Sequence, residues 1–593
     1  MSKKIDFFSA SLSVINPKSA TEHFISAILN RKKIFIEVAF GTLVLNIVSL
    51  AISLYSMQVY DRVIPSYGTS TLWVLTVGVI LAMIIEFTIK ESRSFMIDQI
   101  YKDIDLELSN LFFSKAINVR MDKRPNTIGT FAAQVRLYES VRAFMTSTTL
   151  FLIADIPFAF LFIGVIALIS GKIALVPLFL FPIAIGMGLF FTRSIEKLTS
   201  QSLIESTLKN GLLIESIDGI ESIKSNQAQE LFIRKWNEFS RQIAESDLKL
   251  KSHNTISAGL SQFVQQLSYV LMVAVGVYEI IDGNLSMGGL LAATIISQRA
   301  LSPVVQTVSI ITQWEHSKLA LRGLDAILSL PGDDIESCAG KYVSPQKCIG
   351  ELSVENISFA YKDKVVVRIA NLTITKGEKI AVVGSIGSGK STLLRLLSGL
   401  YRPDDGRVFL DGIDYSNLNP VFARKNVYYM PQDMRLFNAT LRENLILGLD
   451  KDPGDDFILE CAKKTTLFEA IKSHPQGLGM VINEGGYGMS GGQRQLAGIT
   501  RVLIGKDANV ILLDEPGTAL DSISEESAIK AIFEQFSDKT IVFATHKKQL
   551  LKYADRVVVM HNGSIVLDGH RDEVLRTVES GNERLRQSEQ EIK

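Results

Sequence analysis

The sequence predicts a multidomain membrane protein, in which an all-α domain of six transmembrane helices is followed by an α/β domain of the P-loop type. Its 593 residues exceed what one compact domain usually holds. Hydrophobic residues make up 47% of the chain, and the mean hydropathy of +0.22 is too high for an ordinary soluble enzyme. The apolar excess lies in residues 1–315, whereas short β-rich runs alternate with helical segments from Leu352 onward.

Six apolar stretches approach the roughly 20 residues that a helix needs to cross a hydrocarbon core about 30 Å thick. Basic residues precede the first stretch and follow the second and the fourth, so we expect both chain termini on the cytoplasmic side. The predicted spans lie near residues 36–58, 70–89, 148–170, 172–192, 258–282 and 287–311. The orienting basic residues are Arg31, Lys32, Lys33, Lys90, Arg93, Arg193 and Lys197.

Two long segments between the spans, 90–147 and 193–257, have mixed charge and heptad-like apolar spacing, which predicts helices that continue into the cytoplasm. The turns that contact the α/β domain are expected near Arg124–Val135 and Ser216–Lys235, although simple coiled-coil packing also explains these regions. The predicted divisions are a cytoplasmic segment 1–35, a transmembrane domain 36–315, a linker 316–350, an α/β domain 351–580 and a charged tail 581–593.

Asp155 is the acidic residue that lies deepest in a predicted span, about six residues from its start. A carboxylate at the centre of a membrane costs roughly 2.5–3.5 kcal/mol on insertion scales, which favours a partner or a water-filled path. A position near the lipid headgroups, or a local helix break caused by Pro157, explains the residue equally well.

The overall charge and the cysteines argue against several other classes of protein. Lys plus Arg and Asp plus Glu both number 62, so the whole-chain charge gives no reason to expect a nucleic-acid partner. Cys338, Cys348 and Cys461 lack metal-binding spacing and are expected to be reduced cytosolic thiols. The first 35 residues lack the apolar core and the cleavage site of a signal peptide.

A phosphate-binding loop follows the predicted strand 379–383 and opens an apolar helix, which is the context that the P-loop requires. Its glycines allow backbone N–H groups to surround phosphates, Lys390 is placed to neutralise the β- and γ-phosphate oxygens, and the Ser391 hydroxyl is a ligand for Mg²⁺. The predicted ATP-binding residues of this loop are Gly384, Ser385, Gly387, Ser388, Gly389, Lys390, Ser391 and Thr392.

Two acidic residues end a second apolar strand, 510–513. Asp514 is placed to hold Mg²⁺ and Glu515 to polarise the attacking water, and both carboxylates are expected to stay ionised beside the cation. Together with the P-loop, this pair predicts an ATP-hydrolysing site. Further predicted strands of the same sheet lie at 408–410 and 541–544.

The segment from Met489 to Gln495 resembles the signature motif of the ATP-binding cassette (ABC) family. The family usually has Leu at the position of Met489, a change that keeps an apolar side chain of similar volume. The resemblance implies that this segment caps the ATP held by the P-loop of a second copy, so function requires a homodimer. The residues that it assigns to this contact are Ser490, Gly491, Gly492 and Gln493.

Other ABC landmarks occur in the order typical of the family. The resemblance implies that Tyr361 stacks on adenine, that Gln432 contacts the γ-phosphate and Mg²⁺, and that His546 donates to the γ-phosphate. Asp521 falls in the family's D-loop. Glu515, His546 and Gln432 are therefore the predicted catalytic residues, Ser391, Gln432 and Asp514 the predicted Mg²⁺ ligands, and ATP and Mg²⁺ the predicted cofactors.

Six spans followed by one cassette are similar to the ABC exporter fold, and Glu484-Gly485-Gly486 resembles a segment of exporter cassettes. Three pieces of the transmembrane domain, Met57–Pro65, Lys123–Pro125 leading to Val141–Phe144, and Asp155–Phe158, resemble the type I secretion branch, which exports unfolded proteins. That resemblance implies a bacterial inner-membrane location, an unfolded adhesin or toxin as substrate, a periplasmic adaptor and a TolC-like outer-membrane channel.

Two alternatives remain at this point: a lipid or drug exporter of the same architecture, and a non-transporting ATP-gated regulator or channel. Many type I exporters carry an N-terminal peptidase-like domain. Here about 35 residues precede the first span and no cysteine precedes Cys338, so we expect neither an active nor a degenerate domain of that kind.

Overall fold

The computed structural model describes residues 19–125, 127–146, 149–190, 192–305, 307–333, 342–505 and 508–577. These residues belong to two compact units. A helical unit lies within Ile15–Val119 and Arg124–Gly332, and an α/β unit lies within Asp333–Lys593 together with Arg120–Lys123. The predicted tail 581–593 and Cys338 lie outside the described residues.

The helical unit contains two helices much longer than a membrane is thick. At a rise of 1.5 Å per residue, the 49 residues of α4 and the 53 residues of α11 extend about 74 Å and 80 Å. The described helices are α1 (Ala20–Leu29), α2 (Lys32–Gln58), α3 (Ile64–Ser66), α4 (Thr69–Ile117), α5 (Ile128–Arg136), α6 (Tyr138–Thr146), α7 (Thr149–Ile169), α8 (Gly171–Phe190), α9 (Thr192–Asp218), α10 (Ile220–Ser225), α11 (Gln229–Ile281), α12 (Met287–Val305) and α13 (Thr307–Leu328).

Each predicted span coincides with a described helix. Among the described residues, three helical stretches are long and apolar enough to cross a membrane: Lys32–Ser66, Thr69–Ile117 and Gln229–Ile281. Two shorter apolar helices, Pro157–Ile169 and Gly171–Gly186, occupy the predicted third and fourth spans. The sixth predicted span begins in α12. Asp155 lies in α7, but its side chain is outside the described residues.

The helical extensions are less continuous than the sequence predicted. The predicted helical segment 90–147 is interrupted after Ile117 and resumes at Ile128. Pro125, which disfavours helical geometry at Arg124, helps to keep the α-helix from resuming earlier. The first turn therefore precedes most of the predicted region Arg124–Val135, whereas breaks at Gly219 and at Asn226–Ala228 fall within Ser216–Lys235. At the other end of the unit, α13 continues to Leu328, past the predicted boundary at 315, and ends shortly before Pro331.

A π-helical turn, Val59–Val63, follows α2 and places Asp61 at the N-terminus of α12. Asp61 Oδ2 accepts a hydrogen bond from the Ser286 hydroxyl at 2.5 Å, and Oδ1 accepts one from the Gly288 backbone N–H at 2.8 Å. A carboxylate at this position satisfies otherwise unpaired N–H groups and interacts favourably with the helix dipole. The sequence Met57–Pro65, singled out above, therefore fixes the end of one membrane helix to the start of another.

The α/β unit contains a six-stranded sheet with the strand order β12-β11-β3-β10-β9-β6, in which only β12 runs antiparallel to its neighbour. The described strands are β1 (Leu352–Tyr361), β2 (Lys364–Ile374), β3 (Lys379–Gly384), β4 (Asp405–Leu410), β5 (Ile413–Asp414), β6 (Val427–Met430), β7 (Ala439–Thr440), β8 (Val481–Ile482), β9 (Val510–Asp514), β10 (Thr540–Ala544), β11 (Arg556–His561) and β12 (Ser564–His570). The helices are α14 (Lys390–Leu397), α15 (Pro420–Asn426), α16 (Leu441–Leu445), α17 (Asp455–Lys464), α18 (Leu467–Ser473), α19 (Gly491–Ile504) and α20 (Ser522–Gln535).

Both faces of this sheet are covered, which explains why its central strands are continuously apolar. In β9, Ile511 and Leu513 pack into one hydrophobic cluster and Val510 and Leu512 into another. Parallel strands end at a common edge, so β3, β6, β9 and β10 bring the residues that follow them together. The sequence-based prediction of one sheet missed a second, antiparallel sheet with the order β2-β1-β4-β5, to which the predicted strand 408–410 belongs. In this sheet β1–β2 and β4–β5 are hairpins, and β1 also pairs with β4, which lies farther along the chain.

Candidate active site

The loop between β3 and α14 has the backbone of a phosphate cradle. Gly387 and Gly389 have φ angles of 80° and 100°, a left-handed conformation that strongly favours glycine. Helix α14 begins at Lys390, so its unpaired N–H groups open onto the loop. The Ser388 hydroxyl is buried and makes no hydrogen bond within the described structure, as a group reserved for a bound phosphate oxygen would be.

The Lys390 ammonium group lies against this loop. It donates hydrogen bonds to the carbonyl oxygens of Gly384 at 2.9 Å and Ser385 at 3.2 Å. Lys390 is buried apart from a small fraction of its surface. The positive charge is therefore held beside the amides that face the cradle.

Ser391 and Asp514 meet at the carboxyl end of the sheet. The Ser391 hydroxyl donates to Asp514 Oδ1 at 2.9 Å, and Tyr429 donates to Oδ2 at 3.2 Å. Burial raises the pKa of the Asp514 carboxyl, and these two hydrogen bonds oppose that rise. The hydroxyl and carboxylate oxygens of Ser391 and Asp514 suit Mg²⁺, which is usually held by one or two protein oxygens, waters and substrate phosphates. Gln432, the third predicted ligand, follows β6 shortly after Met430.

Glu515, Gln432 and His546 converge at the same edge. Gln432 Nε2 donates to Glu515 Oε2 at 3.1 Å, and His546 Nδ1 lies 3.6 Å from Glu515 Oε1. Glu515 has a φ angle of 49°, which is uncommon for a residue with a side chain, and its N–H donates to the Ala544 carbonyl of the adjacent strand. The three predicted catalytic side chains thus form one cluster directly after β9, β6 and β10.

Tyr361 ends β1 and remains 41% exposed, which leaves a large aromatic surface beside the P-loop helix. Its hydroxyl lies 3.5 Å from the Thr392 hydroxyl. Its ring makes edge contacts with Phe359 and Tyr401, with centroid distances of 5.1 Å and 6.1 Å. An exposed aromatic ring held by its edges is suited to stacking on a base.

The signature segment forms the N-terminus of α19, away from the P-loop. Ser490 and Gln493 form a capping box, with hydrogen bonds of 3.1 Å and 2.9 Å. Gly491 and Gly492 pack next to Ala519, and Asp521 caps α20 by accepting from Ile523 N and Ser524 N. Within the described residues, no hydrogen bond or ion pair joins Ser490–Gln493 to Gly384–Thr392.

Sequence reasoning missed three residues that order this site. The buried Gln495 donates to the Glu515 carbonyl at 3.2 Å and accepts from Ala519 N at 2.8 Å, so it links α19 to the end of β9. Tyr429 and Arg395 contact the Asp514 side of the site. Gln495 is the last residue of the signature segment Met489–Gln495. Its contacts involve residues that are distant in the sequence, so no local pattern predicts them.

Comparisons with known proteins agree with this geometry. Residues 367–518 match the ABC transporter family model, and residues 35–303 match the model of the ABC transporter transmembrane region. The chain is 30% identical to the toxin RTX-I translocation ATP-binding protein of Actinobacillus pleuropneumoniae, with 93% of this chain and 78% of the relative covered. It is 29% identical to the leukotoxin translocation ATP-binding protein of Mannheimia haemolytica, with the same coverage.

A third relative, the exotoxin translocation ATP-binding protein of Pasteurella aerogenes, is 28% identical, with coverage of 93% of this chain and 77% of the relative. Among solved structures, a bacterial Atm1-family ABC exporter with ATP bound has a TM-score of 0.79 at 19% identity. The superposition covers 94% of this chain and 97% of that one. At that identity the likeness shows the fold alone.

Proposed function

The chain belongs to the ABC transporter family, and from that premise we propose that it is the ATP-driven inner-membrane component of a type I secretion system that exports an unfolded protein toxin or adhesin. It binds and hydrolyses ATP, and the hydrolysis is coupled to transport across the membrane. The observation that supports the protein cargo is the similarity to three toxin-translocation proteins over 93% of the chain. The cluster of Glu515, Gln432 and His546 supports hydrolysis rather than binding alone.

In this proposal each side chain has a distinct task. The backbone of Gly384–Gly389 and the ammonium group of Lys390 bind the phosphates, and Tyr361 stacks on adenine. Ser391, Asp514 and Gln432 would hold Mg²⁺, which supplies positive charge to the phosphate oxygens. Glu515 orients and polarises the attacking water, Gln432 fixes the Glu515 carboxylate through its amide, and His546 donates to the γ-phosphate.

The complete site requires two copies of the chain. The signature residues Ser490, Gly491, Gly492 and Gln493 make no hydrogen bond or ion pair with the P-loop of their own chain among the described residues. We therefore assign them, with the D-loop residue Asp521, to the ATP held by a partner copy. The transmembrane part lies in the inner membrane as a multi-pass domain, with both termini in the cytoplasm.

Further partners follow from the proposed cargo. A periplasmic adaptor and a TolC-like channel would continue the path to the cell exterior. Breaks at Asn118–Pro125, at Gly219 and at Asn226–Ala228 interrupt otherwise long helices. We assign them to the transmission of cassette closure to the membrane helices.

The decisive experiment measures ATPase activity of the purified full chain in lipid nanodiscs. We expect stimulation by the C-terminal segment of a secreted toxin or adhesin, and none by a scrambled segment of the same composition. Stimulation by lipids or small amphiphiles, with no response to the protein segment, would support a lipid or drug exporter instead. A chain that binds ATP without measurable turnover would support the ATP-gated regulator or channel.

A further inference from the structure

Tyr429 is placed to orient the carboxylate of Asp514. It lies in β6, three residues before Gln432, and its hydroxyl donates to Asp514 Oδ2 at 3.2 Å. The other carboxylate oxygen, Oδ1, accepts from Ser391 at 2.9 Å. Asp514 is almost fully buried, so these two donors fix the direction in which its remaining lone pairs point.

Arg395 in turn holds the Tyr429 hydroxyl. Its Nε lies 3.4 Å from Tyr429 Oη, while its Nη1 lies 3.4 Å from Tyr361 Oη and 3.5 Å from Tyr401 Oη. The guanidinium carbon is 5.6 Å from the Tyr401 ring centroid. A planar guanidinium with five donors can serve several acceptors at once, which a lysine could not do in the same geometry.

These contacts form a continuous path from Tyr361 through Arg395 and Tyr429 to Asp514, which we call the Tyr–Arg bridge. On the proposed function, one end of the bridge touches adenine and the other end touches Mg²⁺. The contacts at Arg395 are long and only partly buried, so each is individually weak, but several of them together restrain the Tyr429 hydroxyl.

We propose that Tyr429 is a positioning residue that holds Asp514 in its metal-binding orientation, and that Arg395 keeps Tyr429 in place and links it to the adenine-stacking Tyr361. The inference rests on the proposed ATP and Mg²⁺ site. On this inference, the Tyr–Arg bridge raises the affinity of the nucleotide-loaded site for the metal and takes no part in the chemical step.

Tyr428 provides a matched control. It precedes Tyr429 on the same strand, and successive side chains of a strand point to opposite faces. Tyr428 packs against the hydrophobic cluster that contains Ile511 and Leu513, whereas Tyr429 packs against the cluster that contains Val510 and Leu512. A phenylalanine at either position removes one buried phenol hydroxyl.

The test uses Mn²⁺ as the metal probe and AMP-PNP as the nucleotide, with binding to the full chain in nanodiscs followed by electron paramagnetic resonance. We expect Tyr429→Phe to weaken Mn²⁺ binding about three- to tenfold, as the loss of one hydrogen bond of ordinary net strength implies. Arg395→Met should weaken it about two- to fivefold, since the hydroxyl of Tyr429 remains. Tyr428→Phe should match the wild type, and AMP-PNP binding in EDTA should be equal in the wild type, Tyr429→Phe and Tyr428→Phe.

Further results distinguish a failure of this inference from a failure of the proposed metal site. Unchanged Mn²⁺ affinity in Tyr429→Phe, or equal weakening in Tyr429→Phe and Tyr428→Phe, would overturn the inference while leaving the ATP site intact. Wild-type protein that binds AMP-PNP but no Mn²⁺ would instead refute the proposed metal site. Saturating Mg²⁺ should restore most of kcat in Tyr429→Phe, which a loss of folding would not allow.

Discussion

At the scale of single residues, the site depends on where each side chain is held rather than on unusual side chains. Glu515 combines a left-handed backbone with two side-chain neighbours, Gln432 and His546, so its carboxylate cannot be moved without disturbing three strand ends. Such backbone conformations cost of order 1–3 kcal/mol and persist where the surroundings enforce them. The strain at Glu515 is consistent with its assignment to the attacking water.

Glu515→Gln should lower ATP turnover by at least about 100-fold, because an amide of the same shape cannot act as a base. The variant should still bind ATP and retain it after washing, which a filter-binding assay with labelled nucleotide measures. Glu534→Gln is the control, since Glu534 is an exposed surface residue that pairs with Lys530 at 3.6 Å. Turnover within twofold of wild type in Glu515→Gln would refute the role assigned to Glu515.

The sequence predicted the P-loop and the acidic pair because each is one contiguous segment, whose strand and helix context is local. It could not predict that Tyr429 and Arg395 contact each other and Asp514, since those contacts join α14, β6 and β9 only after the sheet has formed. The roles of Gln432 and His546 were expected only from their order along the family's motifs. They lie beside Glu515 because β6, β9 and β10 are neighbouring parallel strands that end at the same edge of the sheet.

At the scale of secondary-structure elements, α19 begins with a capping box that uses the signature residues themselves. Ser490 and Gln493 satisfy the first N–H groups of this helix, and Thr440 and Glu443 form the same arrangement at α16. Only the first of these caps is assigned to a partner's ATP. The two helices therefore allow a structural role to be separated from a catalytic one.

Ser490→Ala and Thr440→Ala should each destabilise the α/β unit by about 1 kcal/mol, the usual cost of losing a serine or threonine cap. Thermal unfolding of the detergent-solubilised chain measures this. Only Ser490→Ala should also lower ATP turnover, by about tenfold at saturating ATP, since a lost hydrogen bond to a charged group is worth roughly 1.5 kcal/mol. Equal turnover in the two variants would count against the signature assignment.

The contact between Asp61 and the start of α12 fixes the position of α12 relative to the end of α2. A Cβ atom at Gly288 would lie 2.4 Å from the Met57 carbonyl oxygen and 2.7 Å from the Asp61 carboxylate, so Gly288 is required by this close approach. We expect Gly288→Ala to separate the ends of α2 and α12 and to reduce transport at least about fivefold, at unchanged ATP affinity. Gly41→Ala, where a Cβ meets nothing within 4 Å, is the control in the same secretion assay.

The sequence predicted where the membrane helices lie, because long apolar runs are distinctive, but not where they are interrupted. The π-helical turn at Val59–Val63 and the continuation of α13 to Leu328 depend on tertiary contacts and on polar residues that are compatible with both helix and linker. The antiparallel sheet was missed for a related reason. Its hairpins β1–β2 and β4–β5 are local, but the pairing of β1 with β4 that joins them into one sheet has no local sequence signal.

At the scale of the whole molecule, we propose that two chains share each ATP site, since no hydrogen bond or ion pair joins the signature to the P-loop among the described residues of one chain. The proposal has a sharp test in mixed dimers that carry two different tags and are purified through both. One arrangement places Lys390→Ala on one copy and Ser490→Arg on the other. The second places both substitutions on a single copy beside a wild-type copy.

If each site joins the P-loop of one chain to the signature of the other, the first arrangement keeps one intact site and the second keeps none. ATP turnover should then be clearly higher in the first arrangement. Sites formed within a single chain predict the reverse order, because the wild-type copy would remain complete. The comparison needs no absolute activity, since both dimers carry the same two substitutions.

The two longest helices, α4 and α11, also restrict which insertions and deletions the protein can tolerate. Each residue of an α-helix turns the chain by about 100°. Deleting a single residue from the middle of α4 or α11 therefore moves all side chains on one half of the helix to a different face relative to the other half. Seven residues bring the register back to within about 20°. Insertions and deletions that preserve function should therefore occur in these helices in steps of about seven residues, whereas single-residue length changes should accumulate in the turns that interrupt the other helices.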